Sequence, residues 1–152
     1  MELDSGIKLG AQFLKQCPSC MRNFARHFCA FNCLPDQSKF MRVSQKSQGP
    51  KPAAEAVQVL ITNTSMDGIY DSCANVFNSN TGTLALDLMC GSWGAALCTA
   101  KRWFDFMGGE GGNPYSTFRI FYNASNVPEG GLVPLDTVVT PCNEPVKVRS
   151  QG

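Results

Sequence analysis

Four cysteines fall within seventeen residues: Cys17, Cys20, Cys29 and Cys33, in the stretch Cys17-Pro18-Ser19-Cys20-x8-Cys29-x3-Cys33. Thiols so close together could hold a zinc ion, run a redox cycle or anchor structural disulfides. A zinc site draws four ligands around one ion at Zn–S distances of ~2.3 Å. Pro18 suits the first position of a helix, where its missing N–H costs nothing, and the helical pattern runs on to Leu34-Pro35. Cys20, Cys29 and Cys33 then share one helix. At about 1.5 Å of rise per residue, Cys20 and Cys29 stand about 13 Å apart along its axis, too far for one ion. No metal site is expected.

Cys17-Pro18-Ser19-Cys20 resembles the Cys-Pro-x-Cys of thioredoxin-like enzymes. That chemistry places the first cysteine after a strand, at a helix N-terminus, whereas here a helix-like segment precedes it. A thiol–disulfide oxidoreductase using Cys17 and Cys20 is therefore the alternative reading, and structural disulfides the leading one. Cysteines three or four apart on a helix rarely bridge each other, because their Cβ vectors do not converge. The cluster should pair outward, and Cys73, Cys90, Cys98 and Cys142 are available. Eight cysteines allow 105 connectivities, so spacing alone leaves the partners open.

Composition narrows the setting. The 152 residues suit one domain, and 43% hydrophobic content can fill a core. A net charge of +1 provides no basic field for nucleic acid. Eight cysteines and two sequons, Asn63-Thr64-Ser65 and Asn123-Ala124-Ser125, point to an oxidising, glycosylating compartment. No run of ~18 apolar residues is present to span a bilayer. The opening MELDSGIKLG lacks the apolar core of a signal peptide, so the expectation is a fragment whose upstream part is missing.

The elements that would position these residues follow from periodicity. Helices are expected over 5–16, from Pro18 to about Leu34, over 65–76 with Asn63 or Ser65 as cap, over 83–90 and over 97–107. Strands are expected over 39–45, 56–62 and 117–122. Cys17, Met21, Phe24, Phe28 and Phe31 mark the apolar face of the second helix. Residues 108–114 are a glycine-rich loop, and the polar tail from Asn143 is expected to be unpacked. The sum is a mixed α+β domain, five helices with a small three-stranded mixed sheet, over residues 1–142, with 143–152 a tail or linker. His27, the one histidine, is expected on the solvent side of its helix, with nothing spaced to make it catalytic. No Gly-x-Ser-x-Gly elbow occurs, and the chain reads as a non-enzyme with no cofactor.

The residues themselves carry a resemblance. Phe13-Leu14-Lys15-Gln16-Cys17-Pro18-Ser19-Cys20, Phe28-Cys29 and Asn32-Cys33-x-Pro35-x-Gln37-Ser38-x-Phe40 resemble the N-terminal lumenal domain of the Niemann–Pick C1 family. The likeness continues through Tyr70-Asp71-x-Cys73, Leu88-Met89-Cys90-Gly91, Pro114-Tyr115 and Thr140-Pro141-Cys142. It implies an apolar pocket for a cholesterol-like sterol, disulfide staples, and a place in the lumen of late endosomes or lysosomes, or on the extracellular face, as part of a polytopic membrane protein. The implied partner is a soluble lumenal sterol carrier like Niemann–Pick C2.

The implied disulfides are Cys17–Cys142, Cys20–Cys73 and Cys90–Cys98. Cys29 and Cys33 are left without partners here, since the family pairs them with upstream cysteines. The polar residues that grip the sterol hydroxyl also fall, by resemblance, before position 1. The implied pocket walls are Leu3, Met21, Phe28, Val57, Val59, Met107, Pro114, Tyr115 and Thr117. The implied transfer rim is Leu88, Met89, Asp105, Phe106 and Asn113. Periodicity alone reads many of these side chains as ordinary core.

Overall fold

A computed structural model describes residues 10–110 and 118–142. Residues 10–14 are helical and residues 15–16 form a turn, so the helix expected over 5–16 stops two residues early; residues 5–9 lie outside the described residues. Gly10 suits the packing there, because a Cβ would meet the Phe24 ring at 2.5 Å. Helix α1 (Pro18–Cys33) starts with its proline in the first turn after an extended Cys17. It ends at Leu34, held extended by the proline that follows.

A 3-10 turn (Gln37–Lys39) leads into strand β1 (Met41–Lys46) and then β2 (Ala54–Ile61), which are antiparallel. Helix α2 (Asn63–Cys73) follows, then a two-stranded hairpin, β3 (Phe77–Asn78) and β4 (Thr83–Leu84). Next come α3 (Leu86–Met89), a 3-10 turn (Gly91–Trp93), α4 (Gly94–Leu97) and α5 (Ala100–Met107). Strand β5 (Arg119–Ala124) closes a three-stranded sheet in the order β1-β2-β5.

β5 lies parallel to β2, from Ala56 opposite Arg119 to Ile61 opposite Ala124. A parallel pair needs a long crossover, and α2 to α5 provide it. β1 parts from β2 beyond Phe40, whose carbonyl still accepts from the Leu60 amide at 2.9 Å, and the segment at 133–135 continues that side. There Leu135 donates to the Leu60 carbonyl at 2.9 Å, and Thr62 donates to the Leu135 carbonyl at 3.0 Å. β2 is thus central and buried at its C-terminal end on both faces. Val57, Val59 and Ile61 join Phe24, Phe31, Ile69, Trp103 and Phe104 in the main core. Leu60 and Leu132 are buried outside that cluster, on the opposite face.

Three disulfides staple these layers. Cys20–Cys73 joins α1 to α2, Cys17–Cys142 ties the start of α1 to the C-terminal segment, and Cys90–Cys98 closes a short loop between α3 and α5.

Several expectations need correction. The cap of α2 is Thr62, whose hydroxyl accepts from the Ser65 amide at 3.1 Å, not Asn63 or Ser65. Ser65 is buried, and its hydroxyl donates to Asp136 and accepts from the Thr137 amide. The helix ends at Cys73 rather than 76. The stretch 83–90 is part hairpin, because Asn78 accepts from the Asn80 amide and Gly82 turns at φ +70°. The helix expected over 97–107 is α4 and α5, split where Thr99 caps α5 by accepting from the Arg102 amide at 3.2 Å.

Candidate functional site

α1 carries most of the chemistry, and its buried face is offset from the expected one. Cys20, Asn23, Phe24, His27 and Phe31 point inward, while Met21 and Phe28 sit half-buried at the border. The periodicity is as expected, but Ser19, Asn23 and His27 are buried on the inner side as well, and Asn23 and His27 find side-chain partners there. Asn23 donates to the Ser72 hydroxyl at 3.0 Å and the Thr140 carbonyl at 2.7 Å, and accepts from the Thr140 amide at 2.9 Å. It thereby locks α1 to α2 and to the segment before Cys142.

His27 is a clear correction. It is 1% exposed, not on the solvent side. Its Nε2 lies 2.9 Å from the Tyr122 hydroxyl on β5, and Phe28, Phe104 and Tyr122 surround its ring. Its Nδ1 has no hydrogen-bond partner among the described residues. Burial favours the uncharged ring and pushes its pKa down to about 4. The same burial pushes the Tyr122 phenol up.

The expected pocket residues fall into two groups. Val57 and Val59 on β2 are fully buried in the core, and Met21, Phe28 and Met107 pack half-buried along its edge. Phe28 meets Phe24 at 4.9 Å between ring centroids, and Phe24 continues to Trp103 at 6.3 Å. These apolar and aromatic side chains line the seam between α1, α5 and the sheet. Leu3, Asn113, Pro114, Tyr115 and Thr117 lie outside the described residues, as does the tail from Asn143.

The expected rim residues gather around α3 and α5. Leu88 is half-exposed, while Met89 packs against the core. Asp105 pairs with Lys101 one turn earlier on α5. Phe106 faces Gly91, whose Cβ position lies 3.4 Å from the Phe106 ring. Two residues that sequence reasoning missed stand beside them. Trp93 and Leu97 expose 47% and 60% of their surface within the Cys90–Cys98 loop. The Arg102 guanidinium sits 3.6 Å from the Trp93 ring centre and donates to the Leu97 carbonyl at 2.6 Å. An apolar Gly-Ser-Trp-Gly-Ala-Ala-Leu between two bonded cysteines was the available signal.

Cys29 and Cys33 are exposed free thiols one helical turn apart on α1. Among the described residues no cluster of three or more potential ligands could hold a metal.

The family described as Niemann-Pick C1 N terminus matches residues 1–151. This chain belongs to that family. It is 37% identical to the NPC1-like intracellular cholesterol transporter 1 of Mus musculus over 95% of its length, and 35% identical to that of Homo sapiens. It is 29% identical to the NPC intracellular cholesterol transporter 1 of Sus scrofa, again over 95% of the chain. The chain spans 11–12% of the length of these relatives. The oxidoreductase alternative gains nothing: Cys17 and Cys20 are bonded to Cys142 and Cys73, and Cys20 and Cys73 are fully buried.

Proposed function

We propose that this domain binds a cholesterol-like sterol and accepts or transfers it as the lumenal module of a larger membrane transporter. The family match over residues 1–151 carries the reading. In this reading Met21, Phe28 and Met107, half-buried, contact the sterol together with Val57 and Val59, and the family resemblance adds Leu3, Pro114, Tyr115 and Thr117, which lie outside the described residues. No cofactor takes part, and the role is binding rather than catalysis. A sterol of about 28 heavy atoms gaining about 0.3 kcal/mol per atom would bind with about 8 kcal/mol, near micromolar.

The rim of Leu88, Met89, Asp105, Phe106 and Asn113 meets a soluble carrier like Niemann–Pick C2. The setting is the lumen of late endosomes or lysosomes, or the extracellular face, with the rest of a polytopic membrane protein attached. Half-exposed Leu88 beside Trp93 and Leu97 supports a docking edge, since exposed apolar side chains gathered in one place mark contact surfaces.

The test separates binding from transfer. In a radiolabelled sterol assay, Phe28→Ala with Met107→Ala should weaken binding at least tenfold. Leu88→Gln with Met89→Gln should leave equilibrium binding within twofold and slow transfer from a carrier at least tenfold. No saturable sterol binding by the parent chain overturns the reading.

A further inference from the structure

The outer face of the sheet carries a groove of about 180 Å³ that shares only Val59 with the proposed sterol walls. Arg42, Gln58, Asn123, Glu129, Gly130 and Leu132 line it. It is smaller than the ~300–1,000 Å³ of ordinary small-molecule sites, and its charged and amide rim suits a polar occupant. The guanidinium of Arg42 donates to the Gly130 carbonyl, which draws the 129–132 turn over the sheet.

Asn123 at this groove opens the sequon Asn123-Ala124-Ser125 and is exposed on β5, an edge strand. Phe121 lies two residues earlier on the same strand and therefore on the same face. It pairs across to Gln58 and leaves 44% of its surface exposed, with the Arg119 guanidinium 4.9 Å from its ring centre over one face and the other left for a sugar. A sugar ring has an apolar face for an aromatic ring and hydroxyl and amide groups for a polar rim. The second sequon starts at Asn63, just beyond the end of β2, and the Thr64 amide donates to Asn126 at 3.5 Å. Both acceptor asparagines thus lie at one end of the sheet.

We propose that Asn123 carries an N-linked glycan whose first N-acetylglucosamine ring lies against Phe121 and into the groove, shielding this edge of the sheet. In the transfer, Asn123 Nδ2 bonds to the anomeric carbon of a lipid-pyrophosphate-linked oligosaccharide. The bond from that carbon to the pyrophosphate oxygen breaks, and one amide proton leaves with the lipid pyrophosphate. The inference rests on the lumenal setting proposed above and adds that this face is covered, so carrier docking belongs to another.

The experiment produces the chain behind an export signal in glycosylating cells and reads site occupancy by peptide mass spectrometry. Melting is then compared for glycosylated protein, protein trimmed enzymatically to a single N-acetylglucosamine, and Asn123→Gln. Asn123→Gln is preferred to a Ser125 substitution, because Ser125 is buried and bonds Val127. Asn123 should be occupied, and the trimmed protein should melt about 2–4 °C above Asn123→Gln. In a Phe121→Ala background that gap should close to under about 1 °C. Occupancy of Asn63 with Asn123 bare overturns the proposal and leaves the lumenal reading standing, whereas both sites bare overturns the two together. An occupied Asn123 with equal melting of trimmed protein and Asn123→Gln overturns the seat in the groove. Sterol binding is read independently on the same samples.

Discussion

His27 carries a charge ledger that its neighbours cannot balance. Its ring lies among Phe28, Phe104 and the Tyr122 hydroxyl, so protonation inside the fold would bury an unpaired charge. The native pKa of about 4 lies below the ordinary 6.5. Stability from this site is therefore complete above pH ~6.5 and is lost as the pH falls towards about 4, because only the unfolded chain takes up the proton. The gap corresponds to about 3 kcal/mol. Urea unfolding of the parent at pH 7.5 and 4.5 should register much of that loss. The double variant His27→Leu with Tyr122→Phe, which removes the ring and the stranded phenol together, should lose markedly less over the same interval. An unchanged pH dependence would contradict the assignment. Asn23 illustrates the same principle without charge, as its three hydrogen bonds make a buried amide tolerable.

At the scale of elements, the seam between α5 and β5 depends on one glycine. A Cβ on Gly108 would stand 2.2 Å from the Ile120 carbonyl oxygen, while the Ile120 amide donates to the Gly108 carbonyl at 2.8 Å. Backbone meets backbone here, so no side chain can yield. Gly108→Ala should cost about 2–3 kcal/mol, visible as a lower urea midpoint with an unchanged slope. A neutral result would mean that the two elements slide apart freely. That seam also sets where Met107 ends up, so the same variant should weaken any ligand held beside it.

Across the whole molecule, the disulfides differ in the length of chain they constrain. Cys17–Cys142 encloses a separation of 125 residues and Cys90–Cys98 one of 8. In the chain-entropy description the long loop is worth about 4–5 kcal/mol and the short one under about 3. Cys17→Ser with Cys142→Ser should therefore lower the melting temperature more than Cys90→Ser with Cys98→Ser. The reverse order would show that local geometry in the 90–98 loop outweighs loop closure. Cys29 and Cys33 staple nothing among the described residues and leave two thiols on the outer side of α1.

Much of this was legible in the chain itself. Pro18 and Leu34-Pro35 mark the limits of α1, the valine-rich run marks β2, and helix rise alone separates the four clustered cysteines into independent anchors. These are local properties, set by backbone sterics and by side-chain period. Tertiary structure alone decided which side of α1 faces in by about one residue, and so put His27 and Asn23 in the core. Burial of a polar group depends on a partner, and Tyr122, Ser72 and Thr140 lie 95, 49 and 117 residues away. It also decided that β5 lies parallel beside β2, which brings Phe121 and Asn123 next to Gln58 and the turn at Glu129. No local rule could place those residues together, because their proximity is a product of the crossover and of the layers it builds.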